Sequence, residues 1–182
     1  MNKIAVFLAD GFEEIEALTV VDICRRAGIE VIMAAAGDSQ MVEGSHGIRV
    51  MADEIFDRVD FDSLDMLVLP GGMPGTRNLE AHTGLMERVD SFYKEGRYVA
   101  AICAAPSILG HRGIVKGCRA CCYPGYEEEL EGAEVVFEPA AVSGNVITGR
   151  GMGCAVPFSL AIVSLFCGKE KAEELAKAIV YM

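Results

Sequence analysis

The stretch Lys3–Ala35, KIAVFLADGFEEIEALTVVDICRRAGIEVIMAA, decides the fold class. Its ends, Lys3 to Leu8 and Glu30 to Ala35, are short and nearly continuous apolar runs of strand length. Between them, Glu13 to Ala27 sets Ile15, Leu18, Val21 and Ile23-Cys24 at helical spacing, and Gly28 supplies the stop. This is a β-α-β unit, and strands that are apolar on both faces must be covered on both faces.

The pattern recurs further along. Met66-Leu67-Val68-Leu69 is closed by Pro70-Gly71-Gly72, a helix is predicted over Leu85 to Glu95 with Gly96 as its stop, and Tyr98 to Ile102 reads as the next strand. Alternating strands and amphipathic helices predict an α/β fold with a mostly parallel central sheet and helices on both faces. Met41-Val42 and Ile48 to Met51 flank Gly44-Ser45-His46-Gly47 and read as a small hairpin. The remainder predicts strands at Val135-Val136, Ala141-Val142 and Val146-Ile147, then helices over Cys154 to Cys167 and Lys169 to Tyr181. With no repeat, low-complexity tract or long linker in 182 residues, a single domain over residues 1–182 is expected. The apolar late helices offer either core or a self-association face.

Sixteen Lys and Arg stand against 27 Asp and Glu, a formal net charge of −11. Such a field repels phosphate backbones and anionic membrane surfaces, so no nucleic-acid or membrane partner is expected. The run Ile4 to Ala9 is too short for a signal-peptide core, and Phe158 to Cys167 is interrupted by Ser159 and Ser164 and falls short of a membrane span. Seven cysteines, an odd number in a chain long enough to build its own core, fit a reducing, cytoplasmic setting.

The chemistry centres on Val99-Ala100-Ala101-Ile102-Cys103-Ala104-Ala105-Pro106, where an apolar strand meets a cysteine and small residues let the backbone turn into a helix. Pro106 suits a first helical turn, which has no use for the missing N–H. A thiol there feels the helix dipole and unpaired amides, which favour thiolate and predict a lowered pKa. Its alternative role is that of a small buried hydrophobe.

Glu13-Glu14-Ile15-Glu16 begins at the same sheet edge. Three acids at a helix start favour the dipole, but Glu16 shares the inward face with the Leu18-to-Val20 region, where a carboxyl can stay protonated and relay protons. Gly71 and Gly72 allow close backbone approach at that edge, and the amides of Gly72 and Ala104 could form an oxyanion hole. None of His46, His82 and His111 is placed at the cleft by sequence, which weighs against efficient peptide hydrolysis. Cys118, Cys121 and Cys122 include a CxxC spacing without a second ligand pair, so no metal site is expected. Cys24 and Cys167 read as core.

Asp10-Gly11-Phe12-Glu13-Glu14-Ile15-Glu16-Ala17, Leu69-Pro70-Gly71-Gly72, Ala101-Ile102-Cys103-Ala104-Ala105-Pro106 and Thr148-Gly149-Arg150-Gly151 together resemble the ThiJ/PfpI (DJ-one) superfamily across nearly the whole chain. The resemblance implies a flavodoxin-like three-layer sandwich, usually a homodimer, with Cys103 as nucleophile and a protonated Glu16 beside it. It also implies an oxyanion hole at the amides of Gly72 and Ala104. Its known activities include glyoxalase III-like and proposed deglycase chemistry, oxidative-stress sensing, holdase chaperoning and, in another branch, peptidases. Where many members carry a histidine before a proline, this chain has Tyr123-Pro124; a tyrosine can hydrogen-bond a substrate but is a poor base near neutrality, with an ordinary pKa of about 10.

The reading that follows is a cysteine-dependent enzyme acting on reactive carbonyls, free or as damaged-protein adducts, with no metal or organic cofactor required. The alternative is an oxidative-stress sensor or holdase chaperone that works through oxidation of Cys103.

Overall fold

The computed structural model describes residues 2–181. Strand β1 (Lys3–Leu8) leads through α1 (Glu14–Arg26) to β2 (Glu30–Ala35), and the two strands lie parallel with Lys3 opposite Glu30 and Leu8 opposite Ala35. The expected hairpin follows as β3 (Met41–Glu43) and β4 (Arg49–Met51), and β5 (Glu54–Ile55) adds a short edge strand beside β2. That edge strand escapes the apolar pattern because it is only two residues long and carries a glutamate.

Next come β6 (Met66–Leu69), α2 (Gly75–Ala81), α3 (Thr83–Lys94) and β7 (Tyr98–Ile102). Helix α2 is not anticipated by periodicity, since Leu79 is its one large buried side chain. Helix α3 starts ahead of its expected Leu85 because His82 Nδ1 caps it, accepting from the Leu85 amide at 3.0 Å. The chain continues through α4 (Pro106–His111), β8 (Arg119–Ala120), β9 (Glu134–Val135), β10 (Ala140–Ser143), β11 (Val146–Gly149), α5 (Ala155–Cys167) and α6 (Lys169–Ala178).

Seven strands form the central sheet in the order β10-β11-β7-β6-β1-β2-β5, and only the β10–β11 pairing is antiparallel. Alternate residues of β1 point to opposite faces, as the period of a strand requires. Ile4, Val6 and Leu8 join Val20, Phe158 and Ile162 under α1 and α5; Ala5 and Phe7 join Leu85, Val89, Phe92 and Ile108 under α3 and α4. The result is the expected three-layer α/β sandwich.

The apolar residues of α5 are thereby used in the core, with Phe158, Ile162 and Val163 buried against the sheet and α1. Cys24 is core as expected, whereas Cys167 is exposed: it is the last residue of α5, where the helix leaves the core. Among the described residues, no helix is long and apolar enough to cross a membrane.

From β1 the chain moves to β2 on one side, while β6 and β7 pair on the other. The carboxyl ends of β1, β6, β7 and β11 therefore open on one edge around a topological switch point, where α/β sheets form their crevices. The Glu13–Glu16, Gly71-Gly72 and Cys103 segments each leave one of these strand ends, whereas Tyr123 follows β8, outside the central sheet.

Candidate active site

Cys103 follows β7 with φ at 66°, the left-handed region that a side chain other than glycine's rarely adopts. Holding it there costs roughly 1–3 kcal/mol. Neighbours on both sides fix it: its amide donates to the Gly149 carbonyl at the end of β11 (3.0 Å), and its carbonyl accepts from the Tyr123 amide (2.8 Å). The turn is the strained elbow that lifts a nucleophile out of a sheet edge. The amides of Gly72 and Ala104 both face the sulfur, and neither donates to a backbone acceptor among the described residues.

Glu16, in the first turns of α1, is fully buried. Its Oε2 accepts from the Gly71 amide at 2.9 Å, Oε1 has no hydrogen-bond partner among the described residues, and the carboxyl group faces the Cys103 thiol. Gly71 has no room for a side chain: a Cβ there would lie 2.6 Å from the Cys103 Cβ and 2.7 Å from Glu16 Oε2. Its amide is thus committed to Glu16. Of the two glycines expected to allow close approach and substrate binding at this edge, Gly72 lines the cleft and Gly71 supports Glu16.

Burial pushes the Glu16 carboxyl up to about 7, with the charge of Glu13 adding to the rise and the Cys103 and Gly71 hydrogen bonds opposing it. The Cys103 thiol, expected to be lowered, is instead pushed up to about 12 by burial and by the charge and hydrogen bond of Glu16, against the pull of the Ala104 and Gly72 amides. The reason is that α4 is a six-residue helix whose end is outweighed by the loss of water and by a facing carboxylate. Two acids this close lose their protons as a pair, and the higher value belongs to the second proton.

The pair opens into a cleft of about 580 Å³, which Gly72, Ala104 and Tyr123 line as expected. Arg150, Met152 and Cys154 also line it, from the segment after β11, and so does His46, which sequence spacing leaves away from the cleft. The β3–β4 turn folds back over the start of α1 and brings His46 Nδ1 within 2.9 Å of Glu14 Oε2 and 3.6 Å of Glu13 Oε2. Glu13, Glu14 and His46 also have ligand atoms within 4.8 Å of one another, a spacing that could hold a cation and that the sequence reading did not foresee. His82 and His111 stay outside the cleft, the first capping α3 and the second bonded to Glu80 and Glu129. Of the CxxC cysteines, Cys121 and Cys122 are buried, and the Cys121 sulfur lies 3.6 Å from Thr148 Oγ1.

The two neighbouring carboxyls have opposite linkage to folding. Glu14, which burial alone would raise, is brought down to about 2 by hydrogen bonds from the His46 ring and from backbone amides, so it contributes stability that is lost below its ordinary 4.5 as the pH falls towards 2. Glu16 has the reverse sign: above 4.5 the unfolded chain releases this proton while the folded chain keeps it, so stability falls as the pH rises from 4.5 to about 7. The difference corresponds to about 3 kcal/mol. Urea unfolding at pH 4.5 and 7.5 is expected to show this loss in the wild type and most of it abolished in Glu16→Gln; equal pH slopes in the two proteins would contradict the raised carboxyl.

The chain is similar to known proteins in sequence and in fold. The sequence profile of the DJ-1/PfpI family matches residues 2–165. Protein DJ-1 homolog A of Arabidopsis thaliana is 38% identical over 97% of this chain, although the chain spans only 45% of that protein's length. The glutathione-independent glyoxalase DJR-1.2 of Caenorhabditis elegans is 32% identical, with 92% of this chain and 89% of that protein matched. The solved structure of Toxoplasma gondii DJ-1, oxidized, superposes with a TM-score of 0.95 at 31% identity, covering 99% of this chain and 98% of that one. With its sheet order, its strained cysteine and these matches in agreement, the chain belongs to the DJ-1/PfpI family.

Proposed function

We propose that this chain is a cysteine-dependent enzyme acting on reactive carbonyls, either α-oxoaldehydes or their early protein adducts, with Cys103 as nucleophile and Glu16 as its proton carrier. The observation that carries the reading is the set of donors converging on one strained sulfur. With the pair's single negative charge on sulfur, the protonated Glu16 carboxyl donates to it, the Gly72 and Ala104 amides donate to it, and the Gly71 amide still donates to Oε2. With the charge on the carboxylate, those two amides face a neutral thiol. The first arrangement satisfies every donor and is the reactive one.

The sulfur then attacks the aldehyde carbon. A C–S bond forms, the carbonyl electron pair moves to oxygen, and the Gly72 and Ala104 amides hold that charge until the oxygen takes the Glu16 proton. Glu16, now a carboxylate, removes the hydrogen of the same carbon and returns it to the neighbouring one, leaving a thioester. Water breaks the C–S bond and releases a 2-hydroxy acid. The balance is one oxoaldehyde plus one water, with no external oxidant. The C. elegans relative named as a glutathione-independent glyoxalase supports this substrate class. All seven cysteines are free, which suits a reducing compartment such as the cytoplasm.

Methylglyoxal conversion to lactate is the test. Cys103→Ala is expected to lose at least about a hundredfold in turnover, in line with removal of a covalent nucleophile; unchanged turnover would remove Cys103 from its role.

A second reading rests on the same donors, because a protonated Glu16 carboxyl and the two amides would equally hold the oxygens of a Cys103 sulfinate, and the T. gondii relative is named as oxidized. Peroxide titration followed by intact and peptide mass spectrometry is expected to add two oxygen atoms at Cys103 first. Oxidation spread evenly over Cys118, Cys154 and Cys167 would count against a sensing role.

A further inference from the structure

Glu14 is a buried carboxyl that the Cys103–Glu16 chemistry does not use. It is 3% exposed, and the β3–β4 turn is built around it. The His46 amide donates to its Oε1 at 2.8 Å, His46 Nδ1 lies 2.9 Å from its Oε2, and Ser45 Oγ lies 3.3 Å from the same oxygen. A Cβ on Gly44 would collide with this carboxyl. The turn is pinned in turn by the Ser45 amide on the Phe12 carbonyl (2.8 Å) and the Gly11 amide on the Glu43 carbonyl (2.8 Å).

A buried carboxylate is costly unless it is paired and hydrogen-bonded, and the partner that Glu14 holds is an imidazole on the wall of the Cys103 cleft. A carboxylate that takes the Nδ1 proton fixes the tautomer and leaves Nε2 free to work, the relation of orienting acid to base in hydrolase triads. The His46 side chain is 67% exposed, so Nε2 is reachable from the cleft.

Resting on the carbonyl reading above, we propose that His46, through Nε2, is the second proton-transfer group of this cleft, with Glu14 as its positioning residue. The rearrangement needs two such groups. When Glu16 takes the proton from the carbon bonded to sulfur, the electron pair enters a carbon–carbon double bond, and the neighbouring carbonyl oxygen must take a proton; the His46 imidazolium gives it. Glu16 then returns its proton to the neighbouring carbon. The hydroxyl on the sulfur-bearing carbon closes to the thioester carbonyl and gives its proton back to His46.

The groups that set the charge of His46 are Glu14 and Glu13 from α1, the Glu43–Arg49 pair on its own hairpin, and Arg150, Glu16 and Cys103 across the cleft. The Glu14 hydrogen bond and the charges of Glu13 and Glu14 raise it, which favours the imidazolium near neutrality.

The experiment is methylglyoxal turnover against pH in wild type, His46→Gln, His46→Ala with added imidazole, and Glu14→Gln, with iodoacetamide labelling of Cys103 in each. His46→Gln is expected to lower kcat by about a hundredfold with KM little changed, and to lose the alkaline limb of the profile. Imidazole should restore part of the rate in His46→Ala. Glu14→Gln should move the alkaline limb to lower pH, and Cys103 labelling should persist throughout. A wild-type kcat and profile in His46→Gln overturns the proposal and leaves the carbonyl reading standing. A fall in kcat with the limb retained and no imidazole rescue assigns His46 a structural role and also overturns it. No turnover in the wild type overturns both.

Discussion

Two acids, the Glu16 carboxyl and the Cys103 thiol, are held against each other out of water at the end of a parallel sheet, and between them they cannot easily carry two charges. Much of the local structure serves that constraint. Gly71 is a glycine because a Cβ would fall on both partners, and its amide anchors one oxygen of the carboxyl that faces the sulfur. Cys103 occupies a backbone region it disfavours because β11 and the Tyr123 segment hold it from either side. Remove the burial and the two groups would titrate as ordinary surface acids.

Glu14 and Glu16 show how far surroundings decide chemistry. They lie two residues apart on one helix and both are buried, yet one is drawn down to about 2 and the other pushed up to about 7. Glu14 faces a turn full of donors, the His46 ring and three backbone amides; Glu16 faces a sulfur and a single anchoring amide. One carboxyl is thereby held ionised beside an imidazole, and the other keeps its proton towards neutrality. Such divergence of neighbouring acids is a recurrent way for one site to obtain both acid and base at a single pH.

The parallel strands were legible in the sequence because each is apolar on both faces, and their order along the chain, with helices between, leaves few other arrangements. Cys103 and Glu16 were legible too, one from the strand-to-helix turn and the other from an acid on an apolar helix face. His46 was not. Its place in the cleft depends on a hairpin folding over a helix start more than thirty positions earlier, a contact that no local spacing encodes. The one available signal was the glycine-flanked turn itself, since Gly44 is needed for the Glu14 carboxyl to fit. Arg150, read only as part of a family motif, and Met152 were not placed at the cleft either, because only the alignment of β11 beside β7 brings their segment to the cysteine. The thiol environment was legible only in part: the helix dipole is a local effect, whereas burial and the facing carboxyl are tertiary ones.

The reactivity of the site depends on where the pair keeps its one charge. The direct measurement is the pH dependence of Cys103 alkylation by iodoacetamide, followed at that residue by mass spectrometry in wild type, Glu16→Gln and Glu16→Leu. With the charge on sulfur, the wild-type inflection lies below the ordinary thiol value of about 8.5, Glu16→Gln stays near it because an amide N–H still donates, and Glu16→Leu moves upward. A wild-type inflection at or above that value, falling in Glu16→Gln, would place the charge on the carboxylate and contradict the account.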